Sequence, residues 1–172
     1  SDGYSLNRFK EAGAEEVTGI DPSRASHELA KKLYNIDTII GTIESYENET
    51  EKFDLVILTH VLEHLFNPIE ILEKCFSLQN DGDWALIEVP LFERMDLFPP
   101  GLLTLEHLNY FSEGTIFETC TRAGYEPILS SKYFSHDEYP IISIIARKNE
   151  NISPLICFDY EINRKTLINY LD

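Results

Sequence analysis

At 172 residues, 43% apolar and 26% charged, the chain has room for one domain with a full core, and it is neither a disordered tail nor a disulfide scaffold. Its 30 acidic groups against 14 basic ones give a formal charge of −16, and adjacent basic residues occur only as isolated pairs such as Lys31-Lys32 and Arg147-Lys148. Such a surface repels phosphate backbones, which excludes nucleic acid as the expected partner.

The first periodic segment, YSLNRFKEAG, places Tyr4, Leu6, Phe9 and Ala12 at helical spacing and stops at Gly13. A short strand is expected from Glu16 to Ile20, ending in Asp21-Pro22-Ser23, where Ser23 caps the helix SRASHELAKKLY. Thr38 to Ile40 reads as a further short strand closing at Gly41, and Glu44 to Lys52 as a loop or a single turn. The run Leu55-Val56-Ile57-Leu58 has no polar break, so the strand Phe53 to Thr59 reads as one covered on both faces. Asn67-Pro68 opens a helix continuing through IEILEKCFSLQ, Trp84 to Val89 is the next strand, and Ser112 caps the helix EGTIFETCTRAG. Tyr125 to Tyr133 and Ile141 to Arg147 form a hairpin across the polar turn Ser135 to Pro140, and Tyr160 to Leu171 is helical in pattern. Cys75 and Cys120 fall in helices and none of the three cysteines has CxxC spacing, which suits a reducing compartment. No apolar run approaches ~18 residues and the start lacks a basic-then-apolar pattern, so no membrane partner is expected and the location reads as cytoplasmic.

This order predicts an α/β fold: a doubly wound, mostly parallel sheet ending in an antiparallel hairpin. Residues 1–150 form the domain and 151–172 a helical C-terminal extension. Because the chain opens on Ser1-Asp2-Gly3 with no strand before it, the reading expects a first strand to lie upstream or to be supplied by another chain. Oligomeric state stays open.

In open parallel sheets ligands sit beyond the carboxyl ends of the strands, which is where Thr59, His60, Glu63 and His64 fall. Asp2-Gly3 is the tail of a glycine-containing loop at a helix N-terminus, where backbone N–H groups meet anionic groups. Asp21 follows Gly3 by 18 residues at a strand end, the place where an acid accepts hydrogen bonds from both ribose hydroxyls of an adenosine. The plainer alternative is that Gly3 turns the chain and Asp21 caps a helix.

The pieces SDGYSLNRFKEAG, VTGIDPS, FDLVILTHVLEHLFNP, ALIEVP and EHLNYFSEGTIFETCTRAGYE resemble the successive motifs of class I S-adenosylmethionine-dependent methyltransferases, closest to the group with small-molecule and sugar C-methyltransferases. The resemblance runs to about Lys148, and HVLEHLFNP and HLNYFS are its most specific parts. It implies S-adenosylmethionine as cofactor, Gly3 in the loop around the methionine part, Asp21 on the ribose and Pro22 near the adenosine. It also implies Thr42 and Ile43 beside the adenine, with Thr59, His60 and Val61 lining the cofactor pocket. The implied reaction moves a methyl group to a carbon or oxygen of a small metabolite. The alternative is a non-catalytic methyltransferase-like scaffold. A nicotinamide-binding domain is the rival for the same glycine and acid, opposed by the terminal hairpin and by the polar strand end at Thr59-His60.

Methyl transfer from a sulfonium needs positioning, desolvation and, for a weak nucleophile, a base. His107 is the catalytic candidate, since it lies in the 21-residue span Leu91 to Phe111, long enough to be a lid over an apolar or amphiphilic substrate. Its alternative is a core extension in which His107 bonds a backbone carbonyl. His60, Glu63 and His64, at i, i+3 and i+4, share a helix face and with His107 form a candidate metal set. The competing view is that Glu63 and His64 cap and orient the turn, and no metal is assigned. Arg94 and Arg122 are the basic residues nearest the expected substrate side; His27 and His136 receive no role.

Overall fold

The structure is a computed structural model that describes residues 2–47, 50–99, 104–136, 138–157 and 159–171. The chain divides into two compact units, Ser1–Glu49 and Thr50–Asp172. It is an α/β protein whose larger sheet mixes parallel and antiparallel strands and closes in a hairpin. No described helix is long and apolar enough to cross a membrane.

The first unit contains α1 (Tyr4–Glu11), β1 (Ile20–Asp21), α2 (Arg24–Tyr34), β2 (Ile39–Ile40) and a 3-10 turn, Ile43–Ser45. Gly3 caps α1 at φ 83°, a left-handed value that favours glycine. A Cβ there would stand 2.7 Å from the Ala30 Cβ, so the glycine also lets α1 start directly against α2. Ser23 caps α2 as expected, accepting from the Ser26 N–H at 3.2 Å. The strand expected from Glu16 pairs only at Ile20 and Asp21, parallel to Ile39 and Ile40, so Glu16 to Gly19 and Thr38 lie outside any strand. In physical terms, β propensity without a ladder partner is not enough.

The second unit contains β3 (Leu55–Thr59), a 3-10 turn (Leu62–His64), α3 (Pro68–Ser77), β4 (Trp84–Pro90) and a 3-10 segment (Phe92–Leu97). It continues with α4 (Glu113–Arg122), β5 (Tyr125–Phe134), β6 (Pro140–Lys148) and α5 (Tyr160–Leu171). The sheet order is β3-β4-β6-β5, with β3 and β4 parallel and β6 antiparallel to both its neighbours. The hairpin falls where the polar turn placed it. Asn67 accepts from the Glu70 N–H at the start of α3, with Pro68 in the first turn, and Ser112 accepts from the Thr115 N–H at the start of α4.

Ala85, Ile87 and Val89 of β4 and Ile142, Ile144 and Ala146 of β6 alternate into the core, and Leu72 and Cys75 of α3 and Ile116 and Cys120 of α4 are buried as well. Burial pushes the Cys75 and Cys120 thiols up to about 12, which makes both inert core groups. One expectation fails here. Among the described residues β3 is an edge of its sheet and not an interior strand, and Leu55 keeps 38% of its surface exposed, so the expected cover is incomplete at the start of the strand. An unbroken apolar run cannot tell an interior strand from an edge strand.

The Leu91–Phe111 span is not structureless either. Leu91 bridges Phe111, and Phe92, Met95 and Phe98 are buried together, packed by Tyr110 and by Tyr170 of α5. For these residues the core extension replaces the lid; Leu102 and Leu103 lie outside the described residues. The approach to α5 is docked on α4. Leu155 donates its N–H to Thr121 Oγ1 and Cys157 to Glu118 Oε2, while a Cβ on Gly114 would meet Asp159 Oδ2 at 2.0 Å.

Candidate functional site

The residues of the two most specific motifs meet beyond the carboxyl ends of β3 and β4. Asn109 joins them: its side-chain amide donates to the Leu62 carbonyl at 3.3 Å and the Leu65 carbonyl at 2.6 Å, on both sides of the 3-10 turn. The backbone N–H groups of Leu108 and Asn109 both donate to the Glu63 carbonyl, at 2.7 and 3.0 Å. His64 Nδ1–H donates to the Glu106 carbonyl at 3.0 Å. A carbonyl only accepts, so this contact fixes the His64 tautomer with its lone pair on Nε2. Segment 106–109 is thereby locked to the turn that follows β3, and His107 is brought beside His64, ring centroids 4.8 Å apart.

His60 leaves β3 at φ 53°, and its N–H donates to the Glu88 carbonyl at 3.0 Å. A non-glycine residue held in this region costs roughly 1–3 kcal/mol and is a feature of functional sites. Its ring lies between two acids, Nδ1 3.3 Å from Glu63 Oε1 and Nε2 3.4 Å from Glu88 Oε1. The hydrogen bond to Glu63 raises the His60 pKa, against the opposing pull of partial burial, and Glu88 adds to the rise. Glu88 also accepts from the hydroxyls of Tyr133 and Ser143, and these two bond each other at 2.6 Å. A polar chain therefore runs Tyr133, Glu88, His60, Glu63.

Glu63 is the anomaly in this chain. Its side chain is only 2% exposed, and although Oε1 faces His60, Oε2 has no hydrogen-bond partner among the described residues. A buried polar atom left so costs about 1–3 kcal/mol. His107 Nδ1 is likewise buried and without a partner among the described residues. Burial lowers the His107 pKa, opposed by the Glu63 charge and reinforced by His64, a shift that favours the neutral ring. A neutral imidazole can accept a proton or bind a cation.

Of the candidates read from sequence, His60 and His107 take part in this cluster, and Thr59 pairs across the sheet with Glu88, with Val61 preceding the 3-10 turn. Among the described residues His107 Nδ1 does not make the backbone-carbonyl bond of its alternative reading, whereas His64 Nδ1 makes one to Glu106. In the first unit, Asp2 Oδ1 accepts from the Tyr4 N–H at 3.0 Å and Asp21 Oδ1 from the Ser23 N–H at 2.8 Å, with Pro22 exposed between. Thr42 precedes the 3-10 turn that contains Ile43, and its N–H donates to Ser45 Oγ at 3.2 Å. The arginines are engaged locally, Arg94 with Asp96 at 3.2 Å and Arg122 with Glu118 at 3.6 Å. Sequence reasoning missed Glu88, Tyr133, Ser143 and Asn109. For Glu88 a signal existed: it is the lone acid within the apolar strand WALIEVP.

A family model described as a methyltransferase domain matches residues 1–130. No curated protein matches the chain. The N-methyltransferase NodS from Bradyrhizobium japonicum is 14% identical with a TM-score of 0.68, over 87% of this chain and 82% of that one. The 1,6-didemethyltoxoflavin-N1-methyltransferase of Burkholderia thailandensis, solved with 1,6-didemethyltoxoflavin and S-adenosylhomocysteine, is 19% identical with a TM-score of 0.69, over 87% and 68%. The cyclase SpnF is 14% identical with a TM-score of 0.70, over 86% and 72%. At these identities the likeness establishes the fold.

Proposed function

Because the chain belongs to the methyltransferase domain family, we propose that it is an S-adenosylmethionine-dependent enzyme acting on a carbon or oxygen of a small metabolite. The observation that supports this most is the half-buried His107 imidazole, held beyond the carboxyl ends of two parallel strands by the locked 106–109 segment. In an in-line displacement on a sulfonium the positive charge disappears, so the protein's part is to align the acceptor, exclude water and take a proton. His107 takes that proton. Asp21 accepts from the ribose hydroxyls, with Pro22 near the adenosine and Asp2 and Gly3 at the methionine part; Thr42 and Ile43 flank the adenine, and Thr59, His60 and Val61 line the cofactor pocket. A surface of charge −16 and three unpaired thiols suit a small-molecule substrate and a cytoplasmic setting.

Calorimetric titration with S-adenosylhomocysteine tests the reading. Binding in the micromolar range is expected, with at least a tenfold loss in Asp21→Ala, and transfer of a labelled methyl group to an acceptor from a metabolite panel completes the case. Absence of binding by natively folded protein overturns it. Binding without turnover on any acceptor supports the non-catalytic scaffold alternative.

A further inference from the structure

We propose that Glu63, His64 and His107 form a binding site for a first-row divalent metal ion of the zinc type. One ligand atom from each lies within 4.8 Å of the other two. Proximity of an acid and two histidines is common and proves little; the state of the individual atoms is what distinguishes this set.

Glu63 is buried, yet among the described residues Oε2 lacks a partner, and His107 Nδ1 is buried with none. Two orphaned atoms belong to two of the three members of one cluster: a carboxylate oxygen, which only accepts, and an imidazole nitrogen, and each can serve as a ligand atom for a cation. The third member is already prepared. His64 Nδ1–H donates to the Glu106 carbonyl, which leaves the Nε2 lone pair free and fixes the ring plane, as the outer-shell partner of a metal-bound histidine does. His64 Nε2 lies 3.9 Å from Glu63 Oε1, on the carboxylate side. The backbone of the cluster is held rigid by the two N–H donors to the Glu63 carbonyl and by Asn109, so the ligands stand on a braced frame.

The donor set selects the ion. Two imidazoles and one carboxylate suit zinc, cobalt, nickel or iron, whereas magnesium and calcium favour oxygen shells. Bonds of ~2.0–2.2 Å in a tetrahedral shell place ligands ~3.3 Å apart, so binding draws these side chains inward by about an ångström. Three protein ligands leave a position open for water or an oxygen ligand. His60 stays outside the set, its two nitrogens facing Glu63 and Glu88.

The site does not depend on the methyl-transfer reading, but it changes the part His107 plays. A metal on Nδ1 fixes the ring proton on Nε2, so loaded His107 has no lone pair with which to accept a proton. The base role belongs to the metal-free protein, and the two states are chemically distinct.

The test is calorimetric titration of Zn²⁺ into the tag-free full chain after chelator treatment, with Co²⁺ absorption as the spectroscopic readout. Expected are 1:1 binding and a tetrahedral Co²⁺ spectrum. His107→Asn and His64→Asn should each weaken binding at least 100-fold, while Cys157→Ser leaves it unchanged. Circular dichroism confirms folding, and Glu63→Gln, which keeps the side-chain volume, provides a third arm. Binding weaker than millimolar, or affinity and spectrum unchanged in both histidine variants, overturns the proposal; loss of the site in Cys157→Ser does so as well, by placing the ion at the thiol.

Discussion

Two polar networks lie at opposite ends of the same four-stranded sheet, and they are finished to different degrees. At the end marked by the start of β4, Gln79 is buried and saturated: Nε2 donates to the Phe53 and Trp84 carbonyls, and Oε1 accepts from the Tyr125 hydroxyl at 2.6 Å. Lys148 is buried beside it, donating to the Phe76 and Gln79 carbonyls at 2.9 Å each and lying over the Phe76 ring. Its charge faces the last turn of α3, where the exposed carbonyls and the helix dipole favour a cation. At the other end, His60, Glu63, His64 and His107 hold charge and burial together, with two atoms unsatisfied and one residue at a left-handed φ. A network complete in itself stabilises the fold, whereas one with vacancies has capacity for something else.

The widest separation between the ends is expected in catalysis. His107→Ala should lower methyl transfer by about 10²–10⁴-fold in metal-free protein, with cofactor affinity little changed. Steady-state kinetics with a parallel titration measures both; an unchanged kcat removes His107 from the role of base. Next in size is Gln79→Ala, which strips partners from two carbonyls and a buried hydroxyl. It should cost about 3 kcal/mol by urea unfolding and leave cofactor affinity intact. A loss under ~1 kcal/mol would show that the saturated end does not carry stability, and the comparison would collapse.

Glu63→Gln should cost no more than about 1 kcal/mol, since the residue already holds an unpartnered oxygen, and equal losses for Gln79 and Glu63 variants would erase the distinction between the ends. The smallest effect concerns pH. His60 has a raised pKa in the folded chain, so its contribution is complete below the ordinary ~6.5 and is lost as pH climbs through the folded value. His107 has a lowered one, so it withdraws stability as pH falls below ~6.5 toward its folded value. Urea midpoints across pH should show the first slope disappear in His60→Gln and the second in His107→Asn. Slopes of the opposite sign would reverse both assignments.

Much of this was readable from the chain. The caps Ser23, Asn67 and Ser112 announced their helices because their hydroxyl or amide chemistry is local, and the turn Ser135 to Pro140 announced the hairpin for the same reason. What depended on partners distant in sequence was not readable. Glu16 to Gly19 found no ladder, Leu55 sits on an edge, and Phe92, Met95 and Phe98 cover one another and α5 rather than a substrate. At the site the histidines could be picked out by type and position. The burial of Glu63 and its unpartnered oxygen could not, since they arise when Asn109 and Leu108 close over a turn more than 40 residues earlier. By that closure HVLEHLFNP and HLNYFS become two halves of one clasp.

The most direct test of the account is a crystal structure of the chain with S-adenosylhomocysteine. The account predicts the ligand sulfur beside Thr59 to Val61, on the same side as His107, with the Gln79–Lys148 network untouched. A ligand seated at the Gln79 end, or density nowhere near the histidine cluster in a crystal grown at saturating ligand, would contradict it.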